Sequence, residues 1–163
     1  MYGSRFDTNI GKPLFEKLLR RLKKYTGWES VTSTKDMVYT SDSHPLRLTI
    51  DDATDKQTLV NKKKVYKNDF TVNGKPLDVR FAVATEDPAS AEVEYTRVRQ
   101  RVRTSFLRKN VRIDATITSG DPSDMDCEEP ETYHLEVEIV DPKKVDCFYN
   151  VVYKIQDILD ICN

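Results

Sequence analysis

Glycine, proline, histidine and long apolar runs are all scarce in this chain of 163 residues, and each scarcity narrows what it does. Five glycines and seven prolines are too few for a linker-rich or disordered polypeptide. With only two histidines, His44 and His134, the sequence argues against a histidine-built zinc site. No apolar run approaches the roughly 20 residues of a membrane-spanning helix, and the N-terminus carries no secretory pattern, so no membrane partner is expected. Cys127, Cys147 and Cys162 form an odd set without metal-ligand spacing and read as reduced thiols of an intracellular protein. A net charge of −1 excludes a uniformly basic nucleic-acid coat. Yet 33% of the residues are charged, so the placement of each sign carries the information.

The length suits a single domain with a real core. Lys12 to about Tyr25 reads as a helix, with Pro13 in its first turn, an apolar stripe of Leu14, Phe15, Leu18, Leu19 and Leu22, and Gly27 as a stop. From Trp28 to Val140 the pattern has period two. It predicts strands over 29–34, 37–40, 46–51, 58–66, 69–72, 77–86, 95–107, 111–118 and 133–140. Asn73-Gly74 marks a hairpin, and the acidic, proline-punctuated stretch 119–130 a loop. A second helix is predicted over 143–162, with a stripe through Val145, Phe148, Val151, Val152, Ile155, Ile158 and Leu159.

Alternation sorts the charges. In a strand Arg97, Arg99, Arg101 and Arg103 share one face, opposite Val98, Val102 and Phe106. Glu136 and Glu138 likewise share a face, opposite Leu135, Val137 and Ile139. Any one such strand is explained by a solvated outer face. Like charges side by side in a sheet are unfavourable unless something anionic lies between them. The pattern therefore predicts a mainly β (α+β) fold: an antiparallel closed β-barrel with a polar lumen, its apolar outside covered by two helices.

Hydrolysis of a triphosphate needs carboxylates for a divalent cation, cations for phosphate oxygens, and a group that orients water. Glu136 and Glu138 lie about 6–7 Å apart along one wall and offer hard oxygen donors suited to Mg²⁺ or Mn²⁺. Arginine forks suit phosphate oxygens. Glu92 and Glu94 face away from Arg97 and Arg99 and read as solvated.

These residues resemble the fungal, protist and viral RNA 5′-triphosphatases of mRNA capping, members of the triphosphate tunnel metalloenzymes. The resemblance rests on Arg99-Gln100-Arg101-Val102-Arg103-Thr104-Ser105-Phe106, Arg112-Ile113-Asp114-Ala115-Thr116 and His134-Leu135-Glu136-Val137-Glu138-Ile139. Weaker matches are Asp78-Val79-Arg80 with Glu86, and Val60-Asn61-Lys62-Lys63. It implies removal of the γ-phosphate from triphosphate-ended RNA, with Glu136 and Glu138 as ligands of Mg²⁺ or Mn²⁺. Lys63, Arg80, Arg99, Arg101 and Arg103 would bind substrate phosphates. Glu86 would orient the attacking water; an exposed strand end before an Asp87-Pro88 turn is its other reading. Arg112 and Asp114 would act at the wall, as an internal salt bridge or directly on phosphate, with Thr116 in support.

The resemblance also implies a guanylyltransferase partner, fused or separate, and allows a homodimer. It places a cellular member in the nucleus and a viral one in the nucleus or a cytoplasmic factory. Other readings of the same fold are an inorganic tripolyphosphatase, a nucleoside triphosphatase or a non-catalytic anion- or RNA-binding barrel. The sequence departs from the family in two places. His134 stands where a third alternating glutamate is usual, and no acidic pair precedes residue 29 to serve as the family's first strand. The expectation is a domain that is N-terminally incomplete, weakly active by itself and completed by residues outside this sequence.

Overall fold

The computed structural model describes residues 6–145 and 147–162. Met1 to Arg5 and the side chains of Phe148 and Cys162 lie outside the described residues. Helix α1 (Lys12–Lys24) is followed by seven strands: β1 (Ser30–Thr40), β2 (Leu46–Asp51), β3 (Gln57–Phe70), β4 (Val79–Pro88), β5 (Arg97–Arg108), β6 (Val111–Ser119) and β7 (Thr132–Ile139). A 3-10 turn (Pro142–Lys144) leads to helix α2 (Phe148–Cys162). The strands form one antiparallel sheet in the order β4-β3-β2-β1-β5-β6-β7.

Helix α1 starts at Gly11, whose φ of 77° is the left-handed region that glycine adopts freely. Its last turn carries Arg21, Lys23 and Lys24, favourable at the negative end of the helix dipole. Phe15, Leu18 and Leu22 bury its apolar stripe. The core lies between the two helices and one face of β5–β7. Phe106, at 0% exposure, packs with Leu22, Ile113 and Ile158, and Trp28 covers it. Beside it, Phe15, Ala115 and Tyr133 form a second cluster.

Two expected breaks in the sheet do not occur. The stretches 29–34 and 37–40 are one strand, because Lys35 and Asp36 continue the pairing with Val102 and Arg101. The stretches 58–66 and 69–72 are also one strand, with a bulge between Lys64 and Tyr66 that leaves Val65 without a partner. Strand β4 runs through Asp87-Pro88 instead of turning there. Proline is tolerated because β4 is an edge strand and its missing N–H breaks no ladder. The hairpin at Asn73-Gly74 is as expected, with Gly74 at φ 74°.

The antiparallel mainly-β architecture with two helices matches the expectation; full closure does not appear among the described residues. The sheet is a curled half-barrel whose edges, β4 and β7, do not pair. Residues ahead of α1 touch both edges. Ile10 N donates to Tyr133 O at 2.9 Å, and the Phe6 ring lies 4.2 Å from the Arg80 guanidinium. The helices cover β5–β7 only. On β3–β4 the apolar side chains of the same face, including Tyr66, Phe70, Phe81 and Val83, remain exposed.

Val65 is 63% exposed and is the one surplus residue in the β3–β4 ladder. Deleting it leaves Lys64 and Tyr66 on their present faces, so the melting temperature is expected to stay within about 3 °C. Deleting Val102 instead inverts half of β5 and should abolish cooperative unfolding. Equal losses for the two deletions, measured by thermal unfolding, would contradict this register.

Candidate active site

Register carries the charged residues to one face. Across β1, β5 and β6, Asp36 opposes Arg101 and Arg101 opposes Thr118, while Thr34 opposes Arg103 and Arg103 opposes Thr116. Across β6 and β7, Asp114 opposes Glu136, Arg112 opposes Glu138, and Thr116 opposes His134. Directly opposed residues share a face. Arg101, Arg103, Arg112, Asp114, Glu136 and Glu138 therefore all point away from the helices.

Asp114 is the centre of this group. Its side chain is 1% exposed, and such burial requires compensation for the ionised carboxylate. Arg112 supplies it with a two-pronged contact, Nε to Oδ1 at 3.0 Å and Nη2 to Oδ2 at 3.0 Å. Arg103 Nη1 stands 3.3 Å from Oδ2. Both guanidiniums then reach outward: Arg103 Nη2 lies 3.3 Å from Glu136 Oε2, and Arg112 bonds Glu138. Thr116 Oγ1 accepts from Arg103 Nε at 3.1 Å, as a supporting residue would. The hydrogen bond to Asp114 is the main reason that the Arg112 pKa is raised above its ordinary value, with the charges of Asp114, Glu138 and Glu136 adding to it. His134, at the position of the family's third glutamate, bonds Thr132 Oγ1 at 2.8 Å.

Further along β5, Arg101 makes a two-pronged pair with Asp36 at 2.9 and 2.7 Å. Arg97 and Arg99 meet Glu129 of the β6–β7 loop. On the other limb of the sheet, Glu86 accepts from Lys62 and Arg47, each at 2.9 Å. The hydrogen bond from Lys62, then the charges of Lys62 and Arg47, hold the Glu86 carboxyl below the usual glutamate range, against partial desolvation. Arg80 is paired with Asp69 at 2.6 and 2.9 Å and stacks on Phe6.

One candidate is misplaced. Lys63 opposes Thr85, on the face away from Glu86, because parity in the lysine run gives the charged face to Lys62 and Lys64. Lys62 is the cation beside Glu86. Asp36, Arg47 and Glu129 belong to the cluster as well, and sequence reasoning misses them. Arg47 has a readable signal, a lone cation alternating with Leu46 and Leu48. Asp36 is obscured by the break expected at Lys35-Asp36. Glu92 and Glu94 are exposed, as expected, although they lie outside any strand and strand alternation is not the reason.

The family model described as mRNA capping enzyme, beta chain, matches residues 11–156. The chain belongs to this mRNA-capping RNA triphosphatase family. Its class is therefore that of hydrolases acting on 5′-triphosphate-ended RNA. Its fold is similar to that of the Pct1 RNA triphosphatase of S. pombe, with a TM-score of 0.80 and 17% identity over 97% of this chain and 70% of that one. The structure of Pct1 in complex with the Spt5 CTD gives a TM-score of 0.76 and 17% identity over 96% and 67% of the two chains. A sequence search among curated proteins finds no match.

Two measurements test this electrostatic framework. Asp114→Ala leaves two guanidiniums without their buried partner and should cost about 3 kcal/mol in urea unfolding. A loss below about 1 kcal/mol would mean that the pair is not a structural element. Lys62→Met should raise the Glu86 pKa toward its ordinary value, read by carboxyl-carbon NMR titration. The folded-state pKa of Glu86 is depressed, so its ionised form stabilises the fold above the unfolded-state pKa. That contribution is lost as pH falls through the folded-state value. The stability gap between wild type and Lys62→Met is therefore expected to be full at neutral pH and to shrink in acid.

Proposed function

We propose that this chain hydrolyses the β–γ phosphoanhydride bond of triphosphate-ended RNA in a metal-dependent reaction, leaving a diphosphate end for guanylyl transfer in the first step of cap formation. The observation that carries the reading is the interleaving of signs around Asp114: Arg103 meets Glu136 and Arg112 meets Glu138 on the face opposite the core. Cations for phosphate and carboxylates for a metal then stand side by side.

Among the described residues no group of three or more His, Cys, Asp or Glu side chains is placed to hold a metal ion by itself. Glu136 and Glu138, 62% and 54% exposed, nevertheless fit Mg²⁺ or Mn²⁺, which bind through one or two carboxylates together with substrate phosphates and water. Such a cation would neutralise charge on the phosphate oxygens. Arg99, Arg101, Arg103 and Arg112 bind and align those oxygens, and Arg80 and Lys62 do so from the other limb. The water oxygen bonds to the γ-phosphorus as the bond to the β–γ bridging oxygen breaks, and the diphosphate end leaves with that oxygen. Glu86 accepts a hydrogen bond from this water and fixes its direction. Its depressed pKa makes it a weak proton acceptor, so orientation is its contribution, and the water's proton passes to an oxygen of the departing γ-phosphate. A guanylyltransferase is the enzyme that would use the product, and a second copy of the chain is a further proposed partner.

Phosphate release from triphosphate-ended RNA, ATP and tripolyphosphate, each with Mg²⁺ and with Mn²⁺, tests the assignment. RNA is expected to be the preferred substrate, and Arg103→Ala to lower kcat/KM by about a hundredfold or more. Preference for tripolyphosphate with both metals would point instead to an inorganic polyphosphatase.

A further inference from the structure

The arginine row of β5 is longer than a triphosphate requires. From Arg97 to Arg103 the alternating positions span about 20 Å, far more than phosphorus atoms joined through single bridging oxygens. Arg103 belongs to the cluster around Asp114, whereas Arg97 stands at the other end, opposite Thr40. Its charge is met by the loop between β6 and β7. Glu129 Oε1 accepts from Arg97 Nε and Nη2 at 2.9 and 2.7 Å, and Oε2 lies 3.4 Å from Arg99 Nε. One carboxylate thus bridges two arginines in the way that a phosphodiester would.

The fit is incomplete at Arg99, whose buried Nε has no aligned hydrogen-bond acceptor. The bridge is also half-exposed, the kind of ion pair that a competing anion displaces readily. Residues 121–131 carry no cation, so a displaced loop holds no charge that would retain it on RNA phosphates. The loop packs closely on Gly120: a Cβ there would stand 2.2 Å from Cys127 Sγ and 3.1 Å from Glu129 Cβ.

We propose that Arg97, beyond the triphosphate-binding arginines that end at Arg99, forms a second anion subsite for a backbone phosphodiester of single-stranded RNA, and that Glu129 is its resident counter-ion, exchanged for the RNA on binding. The subsite rests on the RNA-triphosphatase reading and deepens it: it separates RNA from free triphosphates that lack a nucleotide chain.

The test uses the full chain and the variants Arg97→Gln, Arg97→Lys and Glu129→Gln. Hydrolysis of a short triphosphate-ended RNA is compared with that of tripolyphosphate. Binding of the same RNA with a 5′-hydroxyl end is measured by anisotropy across a salt series. Arg97→Gln is expected to raise the RNA KM about fivefold, leave the tripolyphosphate KM in place, and reduce the salt slope of binding by about 0.7. Arg97→Lys keeps the charge and should fall between. Glu129→Gln is expected to lower the RNA KM and tighten binding of 5′-hydroxyl RNA.

Equal shifts on RNA and tripolyphosphate, or none on either, would overturn the subsite while leaving the triphosphatase assignment standing. If wild type hydrolyses neither substrate, that assignment falls, and the 5′-hydroxyl RNA measurements alone decide the subsite. Should Arg97→Gln fail to fold, Arg97→Lys and Glu129→Gln decide the same question.

Discussion

Phe106 is withdrawn from solvent between α1, α2 and Trp28, and this placement fixes the parity of β5. A strand has only two faces, so committing Phe106 to the core commits Val98 and Val102 to the same side and the alternating arginines to the other. The ladders with β1 and β6 transmit that choice. Asp36, Thr116 and Asp114 oppose odd-numbered β5 residues and therefore join the charged face, and β7 follows through Asp114 and Arg112. Burial of one aromatic ring thus determines where the phosphate-binding and metal-binding candidates stand. The apolar core and the polar site are two sides of one alternation.

That alternation brings together charges which the fold must then reconcile. The solution is pairing inside the face itself: Arg101 with Asp36, Arg103 and Arg112 with Asp114, Arg80 with Asp69, and Glu86 with Lys62 and Arg47. These pairs allow the sheet to form without a bound polyanion. They also leave spare donors, because a guanidinium engaged through two of its nitrogens retains N–H groups for phosphate oxygens. Asp114 differs from the others. Buried and shared by two arginines, it holds the forks at fixed angles, whereas the more exposed glutamates of β7 can exchange partners.

Much of this is legible in the sequence because strands β5, β6 and β7 alternate without interruption. Their faces follow from Phe106, Ile113 and Val137, and with them the roles considered for Arg101, Arg103, Asp114, Glu136 and Glu138. The first half of the sheet is less readable for a physical reason: the bulge at Val65 reverses the parity of β3 midway, so one alternation does not describe the whole strand. Lys63 is easily mistaken for Lys62 because a run of lysines has no apolar partner to reveal parity. The break expected at Lys35-Asp36 conceals an ion pair between strands, which no local pattern encodes. Glu129 reaches its arginines from a loop, and loop geometry is not carried by periodicity at all.

The helices lie on one half of the sheet only, and this makes the protein mechanically uneven. Beneath α1 and α2, β5–β7 have a packed support; β3–β4 rely on ladder bonds, on the Phe6–Arg80 stack and on Lys75 meeting Asp160 of α2. Amide protons of β6 are therefore expected to exchange last with solvent, and those of the β3–β4 hairpin among the first. Glu86 and Arg80 therefore stand on the limb of the charged face that has the least packing beneath it. Asp114 stands on the half that the core supports, so the two limbs of one site rest on unequal foundations.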